Sequence, residues 1–587
     1  MYTAINWNLD SVFDGGVQGT RFKETLKAVE ESIQDLSGRV QSLKTLKDAP
    51  EDWAKMLLEL EALEPQISNC WTFVHCLSCA DTRDREAAST ESRIGELWSA
   101  YLQTRIPIED GICNASEEAF QALIRLDELD SIRAGLHNLR EQKHLLLPEA
   151  EQSLLESLTV DSVSAWGQLY SRRSGRMTLT VDGEDLSTAQ VFNRFSGDPN
   201  PSTRIRYFEA YQEGWREDRD LWATIMTHLT GTRRTVNERR GLSPLDEVLT
   251  RSRMKRESLD AMHEAIAMFR VELLPYLQGK AKLLGLNALG WQDLRAPLSV
   301  GGLSHSWEES VEFVLTHFKT AQQPLFDLAK RAFEEEWIEA EDRPHKRAGG
   351  WCANVPKVNQ SRIFMTHGGS FSSTVTLAHE LGHAYHNAVL GDQSVSIRRV
   401  PMTLAETASV FAENVVRDAA LESARDPQAR LEMLDARLRS AVSFLMDIPT
   451  RFFYELELYE LREKGEFDPD ELDELMVRCQ KENFCDALST WNPTFWSSKL
   501  HFFMGRRAFY NFPYSFGYLF SSLVYAMAQT AGDGFEPRYV RLLKETGWRS
   551  AEAIAEEHLG LDLTSPSTWL KAMEPIRKDL AAFADLT

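Results

Sequence analysis

The chain has 587 residues, 43% hydrophobic and 26% charged, with a formal charge of −23 and a pI near 5.2. That composition is ordinary for a soluble globular protein with a large core and excludes a disordered chain. Without a basic patch, such acidity argues against a nucleic-acid partner, and no apolar run approaches the roughly 20 residues of a membrane span.

The opening "MYTAINWNLDSVFDGG" lacks a basic leader and an apolar run, and seven scattered cysteines do not form a disulfide framework. A cytoplasmic, reducing location with no membrane partner is the expectation. From about 20 to 165 the chain reads as long helices, with apolar residues at three- and four-residue spacing in "FKETLKAVEESIQDLSGRVQSLKTL" and "ESRIGELWSAYLQTR". Within them Cys76 and Cys79 form a CxxC beside His75, which reads as helix packing because no second ligand pair follows. "RMTLTVDGEDLSTAQV" (176–191) predicts a hairpin turning at Asp182 and Gly183, and Pro201 opens a further helix. These signals suggest a helical N-terminal domain, 1–195, and a second domain, 196–587. Further helices lead to about 340. "SRIFMTH" (361–367) then predicts a short strand, a sheet edge able to pair with an extended peptide, joined through Gly368 and Gly369 to the next helix.

That helix carries "TLAHELGHAYH" (376–386). His379 and His383 are four residues apart and share one face, so both imidazoles can reach one ion. Glu380 lies about 60° from His383 around the helix, close enough to flank that ion without ligating it. The row Leu377, Leu381, Ala384 and Ala388 is apolar, Ser372 or Ser373 is placed to cap the start, and Gly391 to end it. A buried helix that merely holds three histidines is the competing reading, and a third ligand decides between them. A histidine from the HExxHxxGxxH pattern is ruled out, since position 386 is His and 389 is Val. "PMTLAETASVFAENVVRDAALESA" (401–424) instead predicts a second amphipathic helix. Its Glu406, 27 residues after His379, completes a His, His, Glu set suited to catalytic zinc. Glu413, two turns on, is placed to accept the free N–H of a ligating imidazole.

Together "FSSTVTLAHELGHAYHN", "LAETASVFAEN" and "KRAGGWCANVP" (346–356) resemble the thimet oligopeptidase superfamily of zinc peptidases, most closely its oligoendopeptidase F branch. The resemblance runs from about 170 to the end and weakens in the N-terminal helices. It implies one zinc per chain on His379, His383 and Glu406, with Glu380 as general base. It also implies a mainly α fold of two helical lobes around a deep substrate channel, with a small β element beside the HExxH helix. The family's histidine and tyrosines that hold substrate and oxyanion fall near His501, Tyr510, Tyr514 and Tyr518, in "HFFMGRRAFYNFPYSFGYLFS" (501–521). Imidazole and phenol donors suit an oxyanion as it forms.

The implied activity is zinc-dependent endopeptidase cleavage of short unfolded peptides, with Glu380 taking a proton from the attacking water and passing it to the leaving amine. The alternatives are a carboxydipeptidase, which needs a basic group such as Arg398 or Arg399 for the substrate's C-terminal carboxylate, and a catalytically silent peptide-binding protein. Short peptides are the expected partners; the sequence leaves the oligomeric state open.

Overall fold

The computed structural model describes residues 4–298, 304–391 and 393–587 and is mostly helical. Helices α1 (Thr20–Gln41), α2 (Pro50–Ala80) and α3 (Arg85–Asn114) are the long helices predicted from about 20 to 165, but only as far as 114; shorter ones such as Glu117–Ile124 and Glu149–Thr159 follow. Cys76 and Cys79 lie buried on α2, with no metal-binding group around them among the described residues. Strands β1 (Thr178–Val181) and β2 (Glu184–Ser187) pair antiparallel around Asp182 and Gly183, whose φ values are 55° and 80°. A two-residue turn with positive φ at both positions matches the twist of its strands, as the Asp-Gly pair predicts. Pro201 begins α4 (Pro201–Glu217), where its missing N–H costs nothing.

A second sheet contains β3 (Ile338–Glu339), β4 (Trp351–Val355) and β5 (Gln360–Phe364) in the order β3-β5-β4. β5 runs parallel to β3 and antiparallel to β4. The edge expected at "SRIFMTH" is therefore displaced: β5 is central, with Ile363 and Phe364 fully buried, and β4 is an outer strand with no second strand partner among the described residues. Strands buried on both faces read as continuous apolar runs, which is why "IFM" marks the middle of a sheet.

β5 leads through Gly369 (φ 70°) into α5 (Phe371–Leu390). The serine cap expected at 372 or 373 is not made; Ser370 is the N-cap residue, and Ser373 Oγ accepts from Gly368 N–H at 3.0 Å. Gly391 ends the helix as predicted. The single helix expected over 401–424 is two, α6 (Met402–Ala405) and α7 (Thr407–Ser423), with Glu406 at the joint (φ −85°, ψ 2°). Later elements include α8 (Ile448–Arg462), α9 (Phe512–Ala531) and α10 (Phe535–Glu545).

The chain forms two compact units, each drawn from three stretches: Met1–Ser153, Leu303–Ala419 and Met527–Ser550, and Leu154–Gly302, Ala420–Ala526 and Ala551–Thr587. The linear division at 195 does not follow these units, because the chain returns to each of them twice. In the first, Phe22, Leu26, Val29 and Ile33 form the apolar face of α1 and join Phe73 and Val74 of α2 in one core. Leu377, Leu381 and Ala384 are buried on α5, whereas Ala388 is exposed. Burying each leucine contributes about 1.5–3 kcal/mol.

In the second unit Gly214 of α4 leaves room for Leu179 of the hairpin, whose Cδ2 lies 2.0 Å from where a Cβ would stand. Glu455 of α8 is buried there; one oxygen accepts from Phe509 N–H at 2.8 Å and the other has no partner among the described residues. Burial raises this carboxyl from its ordinary 4.5 to about 7, although Arg233 and the Phe509 N–H oppose the shift. Between those values the folded chain keeps a proton that the unfolded chain releases, so stability falls as pH rises from about 4.5 to about 7. Glu455→Gln is expected to remove that slope, gaining on the parent by roughly 1–3 kcal/mol across the window. Thermal unfolding of both proteins at pH 4.5, 6 and 8 checks it; parallel curves contradict it.

Candidate metal centre

The first unit brings three expected ligands together. Nε2 of His379 and Nε2 of His383 are 3.1 Å apart, and Oε2 of Glu406 lies 3.5 Å from each. Two neutral imidazole nitrogens facing each other at that distance place lone pair against lone pair unless a proton or cation lies between them. Tetrahedral zinc, with ligands at about 2.0–2.2 Å, sets its donor atoms roughly 3.3–3.6 Å apart. The three separations and the donor chemistry fit that ion.

The backbone explains the convergence. His379 and His383 stack one turn apart on α5, and a break in the following helix turns Glu406 toward them, with Ser409 Oγ donating to Glu406 Oε2 at 2.6 Å. Gly382, between the histidines, is the close-approach point: a Cβ there would stand 2.5 Å from Ala408 O and 2.6 Å from Ser409 Cα.

Glu413 occupies its expected place. Its Oε1 accepts from Nδ1 of His379 at 2.7 Å, leaving the lone pair of a neutral ring on Nε2. Sequence reasoning missed Arg417, whose guanidinium bonds Glu413 Oε2 at 3.1 Å, although its i+4 spacing is a readable signal. Burial works against the Glu413 charge, but Arg417 and His379 hold its carboxyl well below the usual range. Burial also lowers His379, yet Glu413, Glu406 and Glu380 outweigh it and bring the ring up to about 9. His383 goes the other way, to about 4, because burial and the neighbouring His379 both disfavour its charge.

Glu380 is buried, its Oε2 has no hydrogen-bond partner among the described residues, and its Oε1 lies 3.3 Å from where a Cβ on Gly350 would stand. Burial pushes its carboxyl to about 7, with His379 opposing. A cation on the three donors would draw it down again. His386, the third histidine of the motif, is no ligand: it is buried, with Nε2 2.8 Å from Thr546 Oγ1. Arg399 is bonded to Glu64 at 2.7 Å, and Arg398 reaches the Gly391 carbonyl at 3.4 Å.

The remaining expected residues lie in the second unit. His501, Tyr510 and Tyr514 form one cluster, with ring centroids 4.9–5.9 Å apart. Tyr518, a turn further along α9, stacks on Phe444 at 4.6 Å. Tyr514 and Tyr518 are the half-exposed positions in an otherwise buried stretch of helix. Asn511, also missed in sequence, sets the histidine: Arg451 donates to its Oδ1 at 3.3 Å, so that oxygen is an acceptor and Nδ1 of His501, 2.8 Å away, is a donor. Burial lowers the His501 ring and, with Arg451 and Lys499, outweighs Asn511, so the neutral ring carries its lone pair on Nε2.

Two imidazoles one helical turn apart, a carboxylate meeting both and a glutamate beside the first histidine, on a mostly helical chain, define the class of HExxH peptidases. Comparison with known proteins narrows this. A sequence profile of peptidase family M3 matches residues 299–575, and one of oligopeptidase F matches 112–178; together they take in more than half of the chain. An oligoendopeptidase F homolog of Lactococcus lactis subsp. lactis is 21% identical over 556 residues, 92% of this chain and 90% of the relative. Group B oligopeptidase PepB of Streptococcus agalactiae is 20% identical, over 73% and 72%. Oligoendopeptidase-F from Enterococcus faecium shares the fold, with a TM-score of 0.70 at 16% identity over 96% of this chain and 99% of that one. PZ peptidase A does so with a TM-score of 0.76 at 13% identity over 96% and 98%. The chain belongs to peptidase family M3 and is a peptide hydrolase. The likeness also extends further toward the N-terminus than the motifs alone suggest.

Gly382→Ala is expected to force α5 away from the 408–409 backbone and cost about 1–3 kcal/mol. Thermal unfolding measures it; an unchanged midpoint contradicts the close approach.

Proposed function

We propose that the chain is a zinc-dependent endopeptidase that cleaves internal bonds of short, unfolded oligopeptides. The observation that carries the reading is the meeting of His379 Nε2, His383 Nε2 and Glu406 Oε2 within 3.5 Å of one another. These residues would hold the ion, which supplies a Lewis acid that acidifies water and polarises a carbonyl. Glu413, fixed by Arg417, keeps His379 in the tautomer that offers Nε2. Glu380 accepts the proton of the water that attacks the scissile carbon, and passes it to the departing amine. An extended substrate pairing with the outer side of β4 would lie along the strand that begins beside Gly350 and Glu380, and a folded protein has no such strand to offer. The Tyr514 hydroxyl, with Tyr510 beside it, is the proposed donor to the oxyanion, and Tyr518 extends that half-exposed face. His501 takes a different part from the donor role first expected, because a neutral ring with its lone pair on Nε2 accepts a substrate N–H.

Digestion of a defined peptide mixture, with products read by mass spectrometry, tests the activity. Peptides of about 5–20 residues are expected to be cut internally while a stable folded domain survives. Glu380→Gln is expected to keep zinc and lose roughly 10²-fold or more in turnover, and Glu406→Ala to lose zinc and activity together. Removal of C-terminal dipeptides alone would favour the carboxydipeptidase; wild-type turnover in Glu380→Gln would remove its role as base.

Tyr514→Phe is expected to lower kcat about 10²- to 10³-fold with zinc content unchanged, while His501→Ala raises KM more than it lowers kcat. Steady-state kinetics with metal analysis on both variants checks the division; full turnover in Tyr514→Phe contradicts it.

A further inference from the structure

Beside Arg451, which sets Asn511, the second unit holds two further cations, Lys499 and Arg295, with no part in the chemistry proposed above. Lys499 lies over two aromatic rings, its Nζ 4.5 Å from the centre of Phe495 and 5.8 Å from that of Phe192. Arg295 lies over the same Phe192 ring at 5.6 Å. Arg451 covers Phe495 at 5.2 Å. Three cations thus lie over two aromatic rings.

Their acceptors fall short. The carboxylate among them is Asp447, and the Arg451 guanidinium takes both its oxygens, Oδ1 at 3.3 Å and Oδ2 in a closer contact. Asn511 spends its Oδ1 on His501 and Arg451, and its Nδ2 is buried without a partner among the described residues. Among the described residues no hydrogen bond or ion pair engages the side chain of Lys499 or Arg295. An ammonium has three donors and a guanidinium five, and with Arg295 exposed and Lys499 half-exposed those donors are open to an arriving acceptor. In a chain with 88 acidic and 65 basic residues, two neighbouring cations that share a carboxylate already bonded to Arg451 are not the outcome of a general shortage of acids. Burial, with added repulsion from Arg451 and Arg295, pushes the Lys499 ammonium down to about 7, although Asp447 opposes it. An arriving anion reverses that shift.

We propose that Arg295 and Lys499, held on Phe192 and Phe495, form a subsite for a carboxylate of the peptide substrate. The proposal rests on the peptidase reading above and deepens it by naming a substrate class. The planar fork of Arg295 suits bidentate contact with a carboxylate, and Lys499 adds a point charge. The carboxylate could be the peptide's C-terminus or an acidic side chain. A C-terminal carboxylate would fix the distance from the chain end to the cut; an acidic side chain would fix the cut relative to a residue.

The test uses fluorescence-quenched peptides of one sequence in two pairs: free acid against carboxamide terminus, and Glu against Gln at one internal position. The protein is compared with Lys499→Met, Arg295→Met and Lys499→Arg. The wild type is expected to show a KM about 10-fold lower for the anionic member of one pair, and that pair identifies the source of the carboxylate. Both methionine variants should bring the ratio close to one, and Lys499→Arg should restore most of it. Binding of the same peptides, labelled and followed by fluorescence anisotropy, reads the preference without turnover. If no peptide is cleaved but the acid still binds more tightly, the subsite stands and the catalytic reading fails. Equal binding of acid and neutral peptides by the wild type, or a preference unchanged in both methionine variants, overturns the subsite.

Discussion

The centre depends on three lone-pair donors brought closer together than neutral or anionic groups stay unaided. His379 and His383 nitrogens 3.1 Å apart, with a Glu406 oxygen 3.5 Å from each, repel one another unless positive charge lies among them. The fold holds them there through packing. Gly382 lets the helix bearing the histidines touch the 408–409 backbone, and the helix break at 406 turns the carboxylate toward the rings. The same close packing that costs electrostatic energy without positive charge would favour a cation bound there.

Around this centre the supporting contacts form a chain of decreasing freedom. Arg417 fixes Glu413, Glu413 fixes the tautomer of His379, and the offered nitrogen follows. In the second unit Arg451 plays the comparable part: it fixes the acceptor face of Asn511, and Asn511 fixes His501. In both units a guanidinium, always charged, sets the protonation of a histidine through one intermediate side chain. Both histidines thereby offer an Nε2 lone pair, which on the proposed reading binds a cation at His379 and accepts a hydrogen bond from a substrate N–H at His501.

Much of this was legible in the sequence, for physical reasons. The four-residue spacing of His379 and His383 is a helical turn, and the residues of the Asp182–Gly183 turn are those that tolerate positive φ. Glu406 could be chosen because a catalytic zinc needs a third ligand, but its setting could not: periodicity carries the apolar pattern across 401–424 and conceals the break at 406. The sheet order was hidden because a strand of five residues reads the same at an edge or a centre until its partners are known. The two compact units escaped a linear boundary because proximity in space is decided by returns of the chain. Arg295 and Lys499 are 204 residues apart, and nothing local in either sequence context signals the shared ring of Phe192.

Zinc-edge X-ray absorption on protein loaded with zinc and freed of excess metal tests the central claim most directly. The account predicts one zinc per chain coordinated by two imidazole nitrogens and at least one carboxylate oxygen, with the imidazole signal lost in His383→Ala. Protein that retains no zinc, or zinc bound without imidazole, would contradict it.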